Sequence, residues 1–185
     1  MIKSFPPLTA VHTAAFDFDG VFTDNKVWID QDGKESVCCD RADGLAFDMV
    51  RSFQRRKKIS IDFFILSKEH NPVVISRAKK LQLPCYHGIT NKVHFMEEYF
   101  ASKLPQVLDP FAGLIYLGND LNDFSLMCRA GYSVAPQNAH PIILGVANLV
   151  LTKLGGNGCV REFVEHLLGI NILTKEELHE FISDC

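Results

Sequence analysis

The chain has no excess of basic residues: 19 lysines and arginines stand against 22 aspartates and glutamates in 185 residues, a net charge of −3. That balance lacks the electrostatic footprint of a nucleic-acid binder. Its six cysteines, Cys38, Cys39, Cys85, Cys128, Cys159 and Cys185, include no C-x-x-C pair and no dense framework. A zinc site and a disulfide scaffold are therefore without support, and the cysteines read as small core or surface residues. No apolar run approaches the length of a membrane span, and Pro6, Pro7 and His12 interrupt the N-terminal segment where a signal peptide needs continuous apolar residues. A cytoplasmic protein with no membrane contact is expected. Internal repeats, low-complexity tracts and long linkers are also missing, so residues 1–185 are read as one domain.

Apolar residues make up 47% of the chain and charged residues 22%, a composition that supports a buried core. Short apolar runs alternate with amphipathic segments, the pattern of an α/β fold. Runs suited to buried parallel strands fall at residues 14–18, 61–66, 113–117, 132–135 and 148–151. Helices are predicted at residues 44–56, 72–81, 92–104, 121–129 and 159–168. The second helix carries start signals, with Asn71 as cap and Pro72 at the first helical position. Residues 26–29 and 35–39 flank Asp32-Gly33 and read as a β-hairpin, a flap over residues 26–39. Thr174 and Glu177 stand at capping-box spacing, which predicts a terminal helix over residues 175–182. Arg51, Arg55, Arg56, Lys57 and Lys58 close the first helix, where cations suit the dipole, and read as a solvated helix end.

In an open parallel sheet, ligands bind beyond the carboxyl ends of the strands. Asp17 and Asp19 stand at such an end. They lie two apart on an extended segment, so both side chains share a face, and Gly20 permits a sharp departure of the chain. Two carboxylates this close are costly without a cation or a proton between them. A hard cation such as magnesium, bound through a few carboxylates and substrate phosphate, resolves the conflict. Asn119, Asp120 and Asp123 follow the run ending at Leu117, Ser67 follows the run ending at Leu66, and Lys92 opens a helix. Each alone is ordinary: an Asp or Ser after a strand usually caps a helix or makes a turn. Together they supply a nucleophile, metal ligands, a hydroxyl donor and a cation.

Phe16-Asp17-Phe18-Asp19-Gly20-Val21-Phe22-Thr23-Asp24 resembles the first motif, D-x-D-G-x-x-T/S-D, of the haloacid dehalogenase phosphatases. Ser67 resembles their second motif, Lys92 their third, and Gly118-Asn119-Asp120-Leu121-Asn122-Asp123 their fourth. The hairpin, Asp43-Gly44 and Gly155-Gly156-Asn157-Gly158-Cys159-Val160-Arg161-Glu162 are similar to the capless subfamily of 3-deoxy-D-manno-octulosonate 8-phosphate phosphatases. That subfamily also holds phosphatases of nine-carbon sialic-type sugars and the C-terminal domains of some acylneuraminate cytidylyltransferases.

The resemblance implies a three-layer α/β sandwich around a mainly parallel, Rossmann-like sheet, with a hairpin flap and no cap domain. It implies a magnesium-dependent phosphoric monoester hydrolase acting on a small sugar phosphate of the keto-sugar acid type. Asp17 would be the nucleophile that becomes phosphorylated, and Asp19 the general acid and then base. Ser67 and Lys92 would hold the phosphoryl oxygens. Magnesium would be held by Asp17, the Asp19 backbone carbonyl and Asn119 or Asp120, with Asp123 behind them. Arg41, Asp43, Glu69 and Arg161 would face the substrate. Capless members assemble as homotetramers in which hairpins and neighbouring chains wall the active site. The flap's Val27, Trp28 and Ile29 suit either that interface or packing within the chain.

Three positions depart from the pattern. Asn119 stands where the octulosonate phosphatases carry the first of two aspartates, and an amide oxygen ligates magnesium without a charge. Glu69 replaces an arginine suited to a sugar carboxylate, which argues against octulosonate phosphate as substrate. Arg41-Ala42-Asp43-Gly44 replaces a usual Arg-Asp-Gly, shifting Arg41 by one residue. A rival from another class is a silent oligomerisation or regulatory module, like the phosphatase-like domain of animal sialate cytidylyltransferases. There the nucleophile is typically lost, whereas Asp17, Asp19, Ser67 and Lys92 are all kept here. A phosphate-accepting receiver domain also uses strand-end aspartates, but D-x-D-G and the element count fit it poorly.

Overall fold

The computed structural model describes residues 4–57 and 60–182; Lys58 and Cys185, named above, lie outside the described residues. In chain order come β1 (Thr13–Phe16), the flap pair β2 (Trp28–Ile29) and β3 (Glu35–Ser36), α1 (Ala42–Lys57), β4 (Asp62–Leu66), α2 (Val73–Leu81) and β5 (Cys85–Tyr86). Then follow α3 (Lys92–Lys103), β6 (Leu114–Leu117), α4 (Phe124–Arg129), β7 (Tyr132–Ala135), α5 (Pro141–Val146), β8 (Leu149–Val150), α6 (Cys159–Leu168) and α7 (Lys175–Ile182). Six strands pair in parallel in the order β5-β4-β1-β6-β7-β8. The winding runs outward from β1 to β5, then returns to β6 and runs outward the other way. The switch point of the sheet therefore lies between β1 and β6.

Strand periodicity splits the core between two faces. Ala14, Phe16, Phe63, Ile65, Ile115, Leu117 and Val134 pack with α1, α2, α6 and α7. Ala15, Phe64, Leu66, Leu114, Tyr116 and Ala135 pack with α3, α4 and α5. This is the expected three-layer α/β sandwich, and among the described residues no cap domain is evident. Phe16 meets Phe22, Phe47 and Phe163 edge-on, joining β1 to α1 and α6. Each such ring contributes roughly 1.5–3 kcal/mol by leaving water. Among the described residues no helix is long and apolar enough to cross a membrane.

The predicted strands and most helices recur with shifted ends. The 14–18 run leaves the sheet after Phe16, because Asp17 begins the site loop. The segment predicted as one helix over 121–129 is a 3-10 turn, Leu121–Asp123, followed by α4. Pro72 stands at the N-cap of α2 rather than inside it, and the side-chain oxygen of Asn71, one residue earlier, accepts from the Val73 N–H at 3.0 Å. The Thr174/Glu177 capping box forms, with contacts of 2.8 and 3.2 Å. The flap turn is built on Asp30, whose Oδ1 accepts from the Asp32 and Lys34 N–H groups, with Gly33 left-handed at φ +76°. Among the strands and α-helices, two were not predicted: β5, only two residues long, and α5, a six-residue helix that opens on Pro141. The basic end of α1 is not simply solvated. Arg51 donates to the Leu81 carbonyl, and Arg56 to the Glu180 carbonyl, so these cations tie α1 to the ends of α2 and α7.

Candidate active site

Phe16 pairs with both Ile65 and Leu117, so β1, β4 and β6 end nearly level and deliver Asp17, Ser67 and Asn119 to one place. There, at the switch point, a cleft of about 350 Å³ is lined by Asp17, Asp19, Ser67, Glu69, Asn119 and Asp120, among others. Lys92 is buried and does not line the cleft, but pairs with Asp17. It is the first residue of α3, which Asn91 caps by accepting from the His94 N–H at 3.0 Å.

Asp17 is 4% exposed. Its Oδ1 accepts from the Phe18 N–H at 2.8 Å and pairs with Lys92 Nζ at 2.8 Å. Burial pushes its carboxyl up to about 7, against the pull of Lys92 and with the help of Asp123. Burial alone would lower the Lys92 ammonium, but Asp17 and Asp123 outweigh it and raise it, so Lys92 stays charged. Asp123 is a hub. Its Oδ1 accepts from Lys92 Nζ at 2.7 Å and from the Tyr116 hydroxyl at 2.6 Å, while Oδ2 accepts from the Asn119 N–H at 2.9 Å and the Asp120 N–H at 3.3 Å. Burial, then Asp123 and Asp17, lift the Tyr116 hydroxyl well above its ordinary value, so it remains a donor.

Asp19, at the cleft wall, is raised to about 6 by burial first and then by Glu69, with Lys92 opposing and Glu35 adding. A carboxyl poised there holds and releases a proton near neutral pH. Ser67 is buried, its Oγ accepting from the Glu69 N–H at 3.0 Å. Glu69 folds back so that Oε1 accepts from the His70 and Asn71 N–H groups at 2.7 and 2.9 Å. Asn71 in turn donates to Glu35 at 2.8 Å, which brings the flap to the same rim.

The donors present fit magnesium. Asn119 Oδ1 is buried with no hydrogen-bond partner beside the Asp17 carboxylate, an unpaired oxygen of the kind a hard cation satisfies. Asp120 Oδ1 is already engaged with the Leu121 N–H at 2.7 Å. Among the described residues no three His, Cys, Asp or Glu side chains form a metal cluster; the expected set mixes the Asp17 carboxylate, the Asp19 backbone carbonyl and either the Asn119 amide or the Asp120 carboxylate. Gly20 makes room for it: a Cβ there would lie 2.0 Å from Asn119 Nδ2. The loop at Gly155-Gly156 braces the far side of this turn, and a Cβ on Gly155 would lie 1.9 Å from the Gly20 carbonyl oxygen. Glu162 fastens that loop by accepting from the Thr152 and Lys153 N–H groups.

Three residues expected to face the substrate do not line this cleft within one chain. Arg41 is exposed ahead of α1. Asp43 is buried in the first turn of α1, 3.9 Å from Arg77, with Oδ1 unpaired, and burial raises it to about 7 despite Arg77. Arg161 is held by Glu165 at 2.7 Å, one turn along α6. Tyr116 was missed: as the third residue of an apolar strand it reads as core, and only its hydroxyl, two residues before Gly118, hints at more.

No family model matches the chain. It is 34% identical to a Streptomyces avermitilis protein assigned to the HAD family of hydrolases, with a TM-score of 0.80, covering 92% of this chain and 99% of that one. It is 29% identical over 153 residues to the 3-deoxy-D-manno-octulosonate 8-phosphate phosphatase KdsC of Yersinia pestis, covering 82% of this chain and 76% of that protein. The corresponding phosphatase from Moraxella catarrhalis, solved with magnesium, phosphate and KDO, is 25% identical with a TM-score of 0.78, covering 95% and 94%. The strand-end carboxylates on this fold and these likenesses define the class: the chain belongs to the haloacid dehalogenase (HAD) superfamily, as a KdsC-like member.

Proposed function

We propose that this chain is a magnesium-dependent phosphatase that hydrolyses a small sugar phosphate through an aspartyl-phosphate on Asp17. The observation that supports this is that Asp17, Ser67 and Asn119, from three strand ends, line one cleft, with Lys92 of α3 paired to Asp17 at 2.8 Å. The phosphatase relatives support the reaction class, and the metal named with the Moraxella catarrhalis protein supports magnesium.

Asp17 attacks phosphorus with the oxygen that Phe18 and Lys92 leave free. Its Oδ1 is doubly engaged, which orients the carboxylate. Asp19 gives its proton to the departing sugar oxygen and afterwards takes one from the water that attacks phosphorus, breaking the bond to the Asp17 oxygen and releasing inorganic phosphate and the free carboxylate. Ser67 and Lys92 hold the phosphoryl oxygens, so that positioning and charge do most of the work. Asp17, the Asp19 carbonyl and Asn119 would hold magnesium, which when bound would offset the negative charge of the phosphoryl group. The unpaired Asn119 oxygen favours Asn119 over Asp120 as that ligand. The intact nucleophile gives no reason to prefer a silent assembly module.

The proposal extends to the whole molecule: one domain over residues 1–185, cytoplasmic, assembled as a homotetramer. The exposed Val27, Trp28 and Ile29 of the flap supply apolar surface for that assembly, and Arg41 or Arg161 would reach a substrate only with a neighbouring chain in place. Light scattering checks the assembly. The function is tested by a phosphate-release screen over sugar phosphates with and without magnesium. Release from at least one ester, only with the metal, is expected; no release from any ester overturns the proposal.

A further inference from the structure

The Lys92 ammonium, with three N–H donors, has three protein acceptors within reach: Asp17 Oδ1 at 2.8 Å, Asp123 Oδ1 at 2.7 Å and Tyr116 Oη at 2.9 Å. Two of these acceptors lie on the side away from the cleft and are linked to each other, because the Tyr116 hydroxyl donates to the same Asp123 oxygen at 2.6 Å. Acceptors that close together engage one side of the tetrahedral ammonium and leave its other N–H groups for Asp17 and for an oxygen of an arriving phosphoryl group.

We propose that Tyr116 is a positioning residue of the phosphatase, its hydroxyl aiming the Lys92 ammonium and steadying Asp123. The hydroxyl sits on the middle strand neighbour β6, in a ring that is fully buried and packed against α3 and α4. That rigid placement transfers the precision of the sheet to a lysine whose four-carbon stem would otherwise wander. Through Asp123 Oδ2 the same network reaches the Asn119 and Asp120 amides, so one hydroxyl links the phosphate handle to the loop that presents Asn119. Without it, Lys92 keeps two acceptors and its freed donor swings, while Asp123 loses one of four donors.

This role rests on the proposed phosphatase reaction and predicts a loss confined to the transition state. Tyr116→Phe keeps the ring and removes only the hydroxyl. It is expected to lower kcat about tenfold, leave KM within about twofold, and weaken inhibition by orthovanadate, a five-coordinate phosphoryl mimic, by about tenfold. The second variant is Lys92→Met, alone and combined with Tyr116→Phe. If Tyr116 acts through Lys92, adding Tyr116→Phe to Lys92→Met changes orthovanadate affinity by less than about twofold. A full further loss in that background, or a Tyr116→Phe protein with native kcat and native orthovanadate affinity, overturns the positioning role alone. A native protein that releases phosphate from no ester overturns the phosphatase reaction and this role with it.

Discussion

Replacing Gly20 by alanine perturbs the site through one methyl group. At position 20 the backbone is left-handed, φ +77°, and the new Cβ would lie 2.0 Å from Asn119 Nδ2 and 2.5 Å from its Cγ. A non-glycine residue in that conformation costs about 1–2 kcal/mol. Overpacking against the buried Asn119 side chain adds about 1–3 kcal/mol. Together these lower the melting temperature by roughly 4–20 °C, at about 2–4 °C per kcal/mol for a chain of this size. The displaced group is also the proposed metal ligand, so magnesium affinity should fall by more than about tenfold, the scale on which a lost oxygen ligand or its support is felt. Gly44→Ala is the control, since nothing lies within 4 Å of its Cβ and its φ is outside the left-handed region. It should stabilise the protein by about 0.5–1 kcal/mol. Differential scanning fluorimetry with and without magnesium, joined to calorimetric magnesium titration, reads both effects. A Gly20→Ala protein with native melting temperature and native magnesium affinity would refute the reasoning.

Activity should vanish with a chelator and return with magnesium; restoration by zinc alone would point to a different kind of site. Asp43, raised to about 7 from an unfolded value of 3.8, keeps its proton longer in the folded state. Its contribution is thus most favourable below about pH 4 and declines as pH rises through about 7, by a few kcal/mol. Asp43→Asn should flatten the melting temperature between pH 5 and 8, checked by thermal melts across that range, and an unchanged slope would count against it. Glu69 should make octulosonate 8-phosphate a poor substrate, and Glu69→Arg should raise the catalytic efficiency on it relative to neutral sugar phosphates. Strong native preference for octulosonate 8-phosphate would refute that role of Glu69.

The parts of the fold legible in the sequence are those whose side chains alone decide their state. β1, β4, β6 and β7 are almost wholly buried, so each is a mostly apolar run, α6 carries amphipathic spacing, and α7 opens on a capping box. β5 is a strand only because Cys85 and Tyr86 pair with Ile65 and Leu66, a fact of partnership that two residues cannot announce. Asp17, Asp19, Ser67 and Asn119, read from the sequence as strand-end residues, line one cleft because β1, β4 and β6 end level, and Lys92, read as a helix start, opens α3 and pairs with Asp17. Asp43 and Arg161 were placed by motif alone. Their packing depends on Arg77, 34 residues beyond Asp43 in sequence, and on Glu165, neither of which belongs to the motif. Tyr116 escaped notice because its ring satisfies the core pattern and its hydroxyl acts across to α3.

The central claim is that Asp17 carries the phosphoryl group between two displacements. Rapid quenching during turnover with magnesium, followed by mass spectrometry of the digested protein, tests it most directly. The peptide holding Asp17 should gain the mass of one phosphoryl group, and folded Asp17→Asn should show neither that gain nor phosphate release. Undiminished phosphate release by a folded Asp17→Asn protein would contradict the account.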